Sequence, residues 1–233
     1  MKDGLSSDGG TRERLLQAAG EMFSRHGFRA TTVRSISRRA NANVAAVNYH
    51  FGDKEALYSA VLKHTLNWAD EKFSRNFDLR AGAAEALRAF IRSFLLQILD
   101  EGRPAWHGKL MALEIVSPTA ALDQVIEDVL GPLHKCLAGI VRELLGEADS
   151  ETVRFCTLSI IGQCVYYHNA KKVITRLYDQ TYSLEEIDRL SDHIAQFSLG
   201  ALRGLAESGC PAMRLSESPI SIDGEDGASV VEP

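Results

Sequence analysis

Residues 31–58 read TTVRSISRRANANVAAVNYHFGDKEALY. Two short helical runs stand on either side of a polar break. Thr32 is suited to open the first, because a threonine hydroxyl takes up an amide that a helix start leaves unsatisfied. Val33, Ile36 and Ala40 then fall on one face. Asn41 follows, and asparagine tolerates the left-handed backbone of a sharp turn. Asn43 opens the second run, in which Val44 and Val47 are one turn apart, and which extends through His50. Phe51 and Gly52 close it. Asp53 caps a further helix whose apolar face is Leu57, Tyr58, Val61 and Leu62. Neither short helix is long enough to be stable alone in water. A neighbour must hold both by Val33, Ile36, Ala40, Val47 and Phe51, which leaves Arg34, Arg38, Arg39, Asn43, Asn48, Tyr49 and His50 outside. Helix, tight turn and helix with a polar, basic outer face is a helix-turn-helix, whose second helix enters the major groove of DNA.

Upstream, a helix is expected from about Thr11. Leu15, Ala18, Ala19, Met22 and Phe23 follow the spacing of one buried face. Gly27 ends it, and Phe28 is placed for the apolar contact that accompanies a left-handed glycine cap. Downstream of about residue 78, amphipathic helices are expected over 81–100, with Leu87, Phe90, Ile91, Phe94, Leu95 and Ile98 on one face, and over 104–116. A longer segment over 119–145 follows, which Pro132 must kink or split. Residues 151–170 are apolar on most sides, which calls for burial on most sides; a subunit interface is the natural place. Ser183 and Glu186 form a capping box for a last helix that runs to about Glu207. No stretch alternates with the two-residue period of a strand, so the class is all-α: an N-terminal three-helix helix-turn-helix domain joined to a larger α-helical domain for ligand binding and dimerisation. The expected organisation is a flexible N-terminus (1–10), the helix-turn-helix domain (11–64), the helical domain (65–208) and a disordered tail rich in Gly, Ser, Pro and acid (209–233).

Charge supports a divided task. The chain carries −5 overall, which by itself argues against a nucleic-acid partner. Residues 1–64, however, hold ten Lys and Arg against six Asp and Glu, while the remainder holds 16 against 25. A basic head on an acidic body is expected where the head alone meets phosphate. No apolar run reaches the roughly 18–20 residues of a membrane span; the best, 158–167, is too short and contains Gln163. Residues 1–10 have no apolar core, so no secretory signal is read there and the cytoplasm is the expected location. Cys136, Cys156, Cys164 and Cys210 form no C-x-x-C pair and have no His cluster at zinc spacing, so no metal site is expected. They read as small buried hydrophobes, with a redox sensor as the alternative. G-x-G-x-x-G, P-loop, H-E-x-x-H and G-x-S-x-G motifs are absent, so neither an enzyme nor a cofactor is expected.

The first 65 residues resemble the TetR family of repressors: the Arg-Leu-Leu start of the first helix, its Phe-x-x-x-Gly-Phe end, the Thr-Thr-Val that opens the second, and Asn-Tyr-His-Phe-Gly-x-Lys-Glu-Ala-Leu-Tyr. Asn41 stands where that family usually has glycine, and both accept the left-handed turn. Residues from about 106 to 176, with SPTAALDQVIEDVLGPL and LSIIGQCVYYHNAKKV, resemble the C-terminal domain of the CecR-like branch, which is linked to control of efflux and drug sensitivity.

The resemblance implies a DNA-contacting set of Thr32, Arg34, Asn43, Val44, Ala45, Ala46, Asn48, Tyr49, His50 and Lys54. Arg34 would read a base, guanine being its natural partner, and Ala45 and Ala46 permit close approach and contact with thymine methyls. Asn48 and Tyr49 project where relatives meet backbone and bases. Thr32, His50 and Lys54 match phosphate-holding positions. Arg38 and Arg39 read as a solvated face that adds general attraction. The resemblance also implies an effector cavity among the middle helices, for which Phe94, Ile98, Trp106, Leu110, Leu113, Glu114, Gln163, Tyr167 and His168 are candidates. Their apolar and aromatic bias suits a hydrophobic compound, and Glu114 a cationic one. The expected partners are thus operator DNA, a second copy of the chain through the last two long helices, and a small-molecule effector.

Overall fold

The computed structural model describes residues 4–66, 82–99, 104–179 and 181–208. The expected tail 209–233 and residues 67–81 of the expected helical domain lie outside the described residues, as do residues 1–3 of the expected N-terminal segment. Among the described residues all regular elements are helical. In chain order they are α1 (Gly4–Ala30), α2 (Val33–Arg39), α3 (Val44–Phe51), α4 (Lys54–Leu66), α5 (Ala83–Leu99), α6 (Trp106–Val116), α7 (Ala121–Val125), α8 (Gly131–Leu145), α9 (Ser150–Asn169), α10 (Lys171–Tyr178) and α11 (Leu184–Glu207).

The local signals at 31–58 act as the sequence predicts. Thr32 Oγ1 accepts from the Ser35 amide (3.1 Å) while Ser35 Oγ accepts from the Thr32 amide (3.2 Å), a reciprocal cap. Asn41 is left-handed at φ 49°. Asn43 Oδ1 accepts from the Ala45 amide (3.0 Å) and Asp53 Oδ1 from the Ala56 amide (2.7 Å). Each bond satisfies a donor that the first helical turn leaves open. Gly27 takes φ 76° and kinks α1, and Phe28 beyond it packs its ring 5.9 Å from Phe23 and 4.8 Å from Tyr58.

Three features differ from expectation. Helix α1 begins at Gly4 rather than near Thr11; Thr11 Oγ1 accepts from Arg14 Nη2 (3.0 Å) one turn on, inside the helix. Pro132 neither splits the 119–145 segment nor leaves a plain kink. The turn over Ile126–Leu130 widens to a π-turn, and the Gly131 amide donates to the Ile126 carbonyl. Widening by one residue accommodates a proline that lacks an amide proton. Helix α10, finally, forms over residues to which the sequence signals assign no element, with Ile174 turned inward.

Two apolar cores result. One joins α5, α8, α9 and α11, with Leu87, Phe90, Ile91, Leu95, Val141 and Cys164 fully buried. The other belongs to the head, around Leu15, Phe23, Ile36, Val47, Leu57 and Leu62, but continues into Trp106 and Leu110 of α6 and Val125 of α7. The α6–α7 segment, which follows α5 in the chain, is therefore packed against the N-terminal head. Gly20 of α1 makes this possible: a Cβ there would lie 2.3 Å from the Trp106 ring.

Candidate nucleic-acid interface and effector region

Caps and core together decide which side of the head faces outward. Val47 and Ile36 are fully buried, and Val33 and Phe51 are half-buried against the same core. This turns Thr32, Arg34, Asn43, Val44, Ala45, Asn48 and Tyr49 to solvent, with Ala46, His50 and Lys54 at the margin. Val44 is 42% and Tyr49 77% exposed, apolar area that the described residues leave largely uncovered. The Tyr49 ring meets the His50 ring edge-on at 4.9 Å. All ten residues expected at DNA are thus exposed or half-buried, on or at the ends of α2, α3 and α4.

The charges sort themselves. The first turns of α2 and α3 contain no acidic residue, so the partial positive charge of their amide ends is not offset locally. Lys54 Nζ lies 4.3 Å from the centre of the Phe28 ring, a cation–π contact that holds it at the foot of α4. Arg39 is turned away: its guanidinium grips Glu21 of α1 through Nε (2.7 Å) and Nη2. It tethers α2 to α1, consistent with a residue that reads no base. Arg12, which the sequence motif does not single out, is exposed on α1 with its guanidinium 5.4 Å from the Phe51 ring centre. It adds a base beside the end of α3, and only the packing of α1 on α3 reveals it.

Helix α4 is fixed to the segment behind it by polar ties as well as by the shared core. Tyr58 Oη donates to Glu114 Oε2 (2.7 Å), Ser59 Oγ donates to Gln124 Oε1 (2.7 Å), and Lys63 pairs with Asp128. Glu114 is 1% exposed, and its other oxygen accepts from the Thr119 amide (2.7 Å) and Thr119 Oγ1 (2.9 Å). Burial, with Glu114 beside it, pushes the Tyr58 phenol well above its ordinary range, so Tyr58 is a proton donor at any physiological pH.

The nine effector candidates are divided among the two cores and the surface. Trp106 and Leu110 belong to the head-side core, whereas Phe94 lies in the body core with Ile98 and Tyr167 packed on it. Both oxygens of Glu114 are held by the chain's own donors, as given above, and Leu113 is on the surface. Gln163 Nε2 donates weakly to the Ser159 carbonyl on its own helix (3.4 Å). His168 Nδ1 is 2.6 Å from the Ile98 carbonyl, which can only accept, so that nitrogen carries the proton. Lys171 Nζ donates to the next carbonyl, Leu99 O (3.2 Å), and the two side chains close the C-terminal end of α5. Cys164 is fully buried, and burial pushes its thiol up to about 12. Among the described residues no group of His, Cys, Asp and Glu could hold a metal ion, and no helix is long and apolar enough to cross a membrane.

Known proteins agree with this geometry. Residues 15–61 match the family described as bacterial regulatory proteins, tetR family, and residues 83–202 match the C-terminal domain of the HTH-type transcriptional dual regulator CecR. CecR of Shigella flexneri is 30% identical over 216 residues, covering 81% of this chain and 94% of its own. The HTH-type transcriptional repressor NicS of Pseudomonas putida is 33% identical over 202 residues, covering 84% and 92%. In fold, the chain is similar to the transcriptional regulator FadR of Bacillus subtilis, solved with stearoyl-CoA (TM-score 0.60, 19% identity, 80% of this chain and 97% of that one). A head matched over 15–61, followed by a helical body matched over 83–202, makes this chain a member of the TetR family of bacterial transcriptional regulators, with a C-terminal domain of the CecR type.

Proposed function

We propose that this regulator acts as a ligand-responsive repressor in the cytoplasm, holding a palindromic operator as a homodimer and leaving it when a small hydrophobic molecule binds the helical body. The observation that carries the DNA reading is the exposed side of α3. Asn43, Val44, Ala45, Asn48 and Tyr49 face solvent, and Arg34 and Lys54 flank them. Arg34 and Tyr49 read bases; Ala45 and Ala46 allow close approach; Thr32, His50, Lys54 and Arg12 hold phosphates. One short reading helix spans too few base pairs for useful selectivity, and a two-fold dimer meeting two half-sites supplies the rest.

The dimer reading has its own support. Helices α9 and α11 expose Phe155, Leu158, Tyr166 and Phe197. Open space surrounds Gly162, Gly200 and Gly204, where a Cβ would touch nothing. Two such faces pack into a four-helix bundle. Release follows from the ties on α4: an effector that favours a second arrangement of α6 and α7 pulls Tyr58, Ser59 and Lys63, and with them the head. It shifts the balance only by its differential affinity for the two states. Selection of bound duplexes from a random pool tests the reading. A palindrome with half-sites about one helical turn apart or somewhat more, bound by two chains, is expected. A Phe197→Glu chain that is monomeric and loses the palindrome supports the dimer; a palindrome bound equally well by a monomer refutes it.

A further inference from the structure

Helix α10 sits in the chain between the long helices α9 and α11, and the three enclose an open cavity of about 550 Å³. That volume lies within the usual range for small-molecule sites. Tyr166 and Tyr167 wall it, their rings edge to face with centres 6.0 Å apart, and Tyr178 and Leu177 of α10 stand opposite. Arg189 and His193, one turn apart on α11, line the same space. Arg189 spends one nitrogen on Glu186 (3.3 Å), and its side chain is 75% exposed; a guanidinium has five N–H donors in a planar fork that matches a carboxylate.

A second observation stands behind this wall. Tyr182 is 5% exposed, and its hydroxyl has no hydrogen-bond partner among the described residues. Its electrostatic neighbours are Tyr167 and Glu186, both of which line the cavity. A buried hydroxyl without a partner costs free energy; it stands behind the lining residues rather than among them, so a ligand meets Tyr167 and Glu186 and not Tyr182 itself.

We infer that the α9–α10–α11 cavity binds a small aromatic carboxylic acid, its ring against Tyr166 and Tyr167 and its carboxylate on the fork of Arg189. The inference rests on reading the body as a sensor, and it puts the ligand on the outer flank of the body rather than among Phe94, Trp106 and Leu110, which are core. The site borders the face proposed for dimerisation, since Tyr166 shares the exposed side of α9 with Phe155, so occupancy bears on how two chains meet.

Calorimetric titration of the full-length protein with benzoate, phenylacetate and 3-phenylpropionate, each beside its amide, tests this. At least one acid binds once per chain, and its amide binds about tenfold more weakly, because a charge-assisted pair is roughly twice as strong as a neutral one. Arg189→Gln removes the difference between acid and amide. Leu177→Trp, at a position 69% exposed, blocks both without changing the melting temperature. No acid binding at millimolar concentration, equal binding of acid and amide, or unchanged acid binding in both variants overturns the site. So does loss of the dimer in Leu177→Trp with no acid bound by the unmodified protein, which assigns the cavity to the partner chain. The sensor reading fails separately. Acid binding that depends on Arg189 but leaves operator affinity unchanged keeps the site and refutes that role; a compound that releases DNA equally from the unmodified protein and Leu177→Trp keeps the role and refutes this site.

Discussion

The hydroxyl of Tyr58 is a single group whose removal cuts one of the polar ties between α4 and the segment behind it. The ring of Tyr58 lies edge-on to Phe23 (4.8 Å) and tilted against Phe28 (4.8 Å), so Tyr58→Phe keeps the aromatic packing and deletes only the donor to Glu114 Oε2. Glu114 is 1% exposed, and water cannot readily replace that donor. Leaving a buried acceptor unsatisfied costs about 1–3 kcal/mol, with charged groups at the upper end. For a chain of this size each kcal/mol moves the melting temperature by about 2–4 °C, so a fall of about 2–12 °C is expected. Thermal denaturation followed by circular dichroism measures it. A double-mutant cycle with Glu114→Gln separates the pair from the ring: coupling of about 0.5–3 kcal/mol is expected for groups in contact. A melting temperature within about 1 °C of the unmodified protein, together with additive single effects, would refute the argument that this bond ties α4 to α6.

Other positions test the remaining links. Gly20→Ala drives a methyl into the Trp106 ring, at 2.3 Å, and destabilises by about 1–3 kcal/mol; Trp106→Leu in the same chain recovers part of the loss, and a melt of no consequence in Gly20→Ala alone counts against the close packing of α1 on α6. Arg34→Ala or Tyr49→Ala relaxes sequence preference at about 1–3 kcal/mol per true base contact. Lys54→Ala instead weakens all sequences alike and flattens the salt dependence. Arg39→Ala, whose partner is Glu21, leaves the preference intact; anisotropy titrations on matched and mismatched duplexes distinguish the three. Native Cys164, its thiol pushed up to about 12 by burial, resists alkylation at pH 8 and reacts once the chain is unfolded, since the thiolate is the reactive form; rapid labelling of the folded protein would revive the redox-sensor alternative.

What the sequence made legible is what neighbours in the chain decide. The caps at Thr32, Asn43 and Asp53 and the left-handed turn at Asn41 depend on side chains within three residues of the amides they satisfy, and the apolar faces of α1, α4 and α5 follow from helical spacing alone. The membership of the core of the head was legible for the same reason. Glu114 was not: its partner Tyr58 is 56 residues away, so a buried carboxylate reads as a ligand contact when it is in fact held by the chain itself. Arg12 escaped for a similar reason, being brought to α3 by the packing of α1; Arg39 stays exposed as expected, but its pairing with Glu21, 18 residues away, is likewise set by that packing. Helix α10 carries its pattern in eight residues, too few for periodicity to stand out. The π-turn before Pro132 is one of several ways to absorb a proline, and tertiary packing makes the choice.

The division of the cores bears on how a signal could cross this molecule. Were the head packed only on itself, a change in the body would reach it through the 67–81 stretch alone. Instead Trp106, Leu110 and Val125 complete the apolar core of the head, and three polar side chains of α4 reach α6, α7 and the π-turn from one side. Close-packed interiors do not deform continuously; they switch between discrete arrangements. A displacement of α6 and α7 must therefore either move α4 with it or open the core around Trp106, and the second costs buried apolar area at about 25 cal/mol per Å². Moving α4 as a unit is the cheaper course. Because Lys54 at its start and Asp53 before it border α3, the same motion changes where α3 is held.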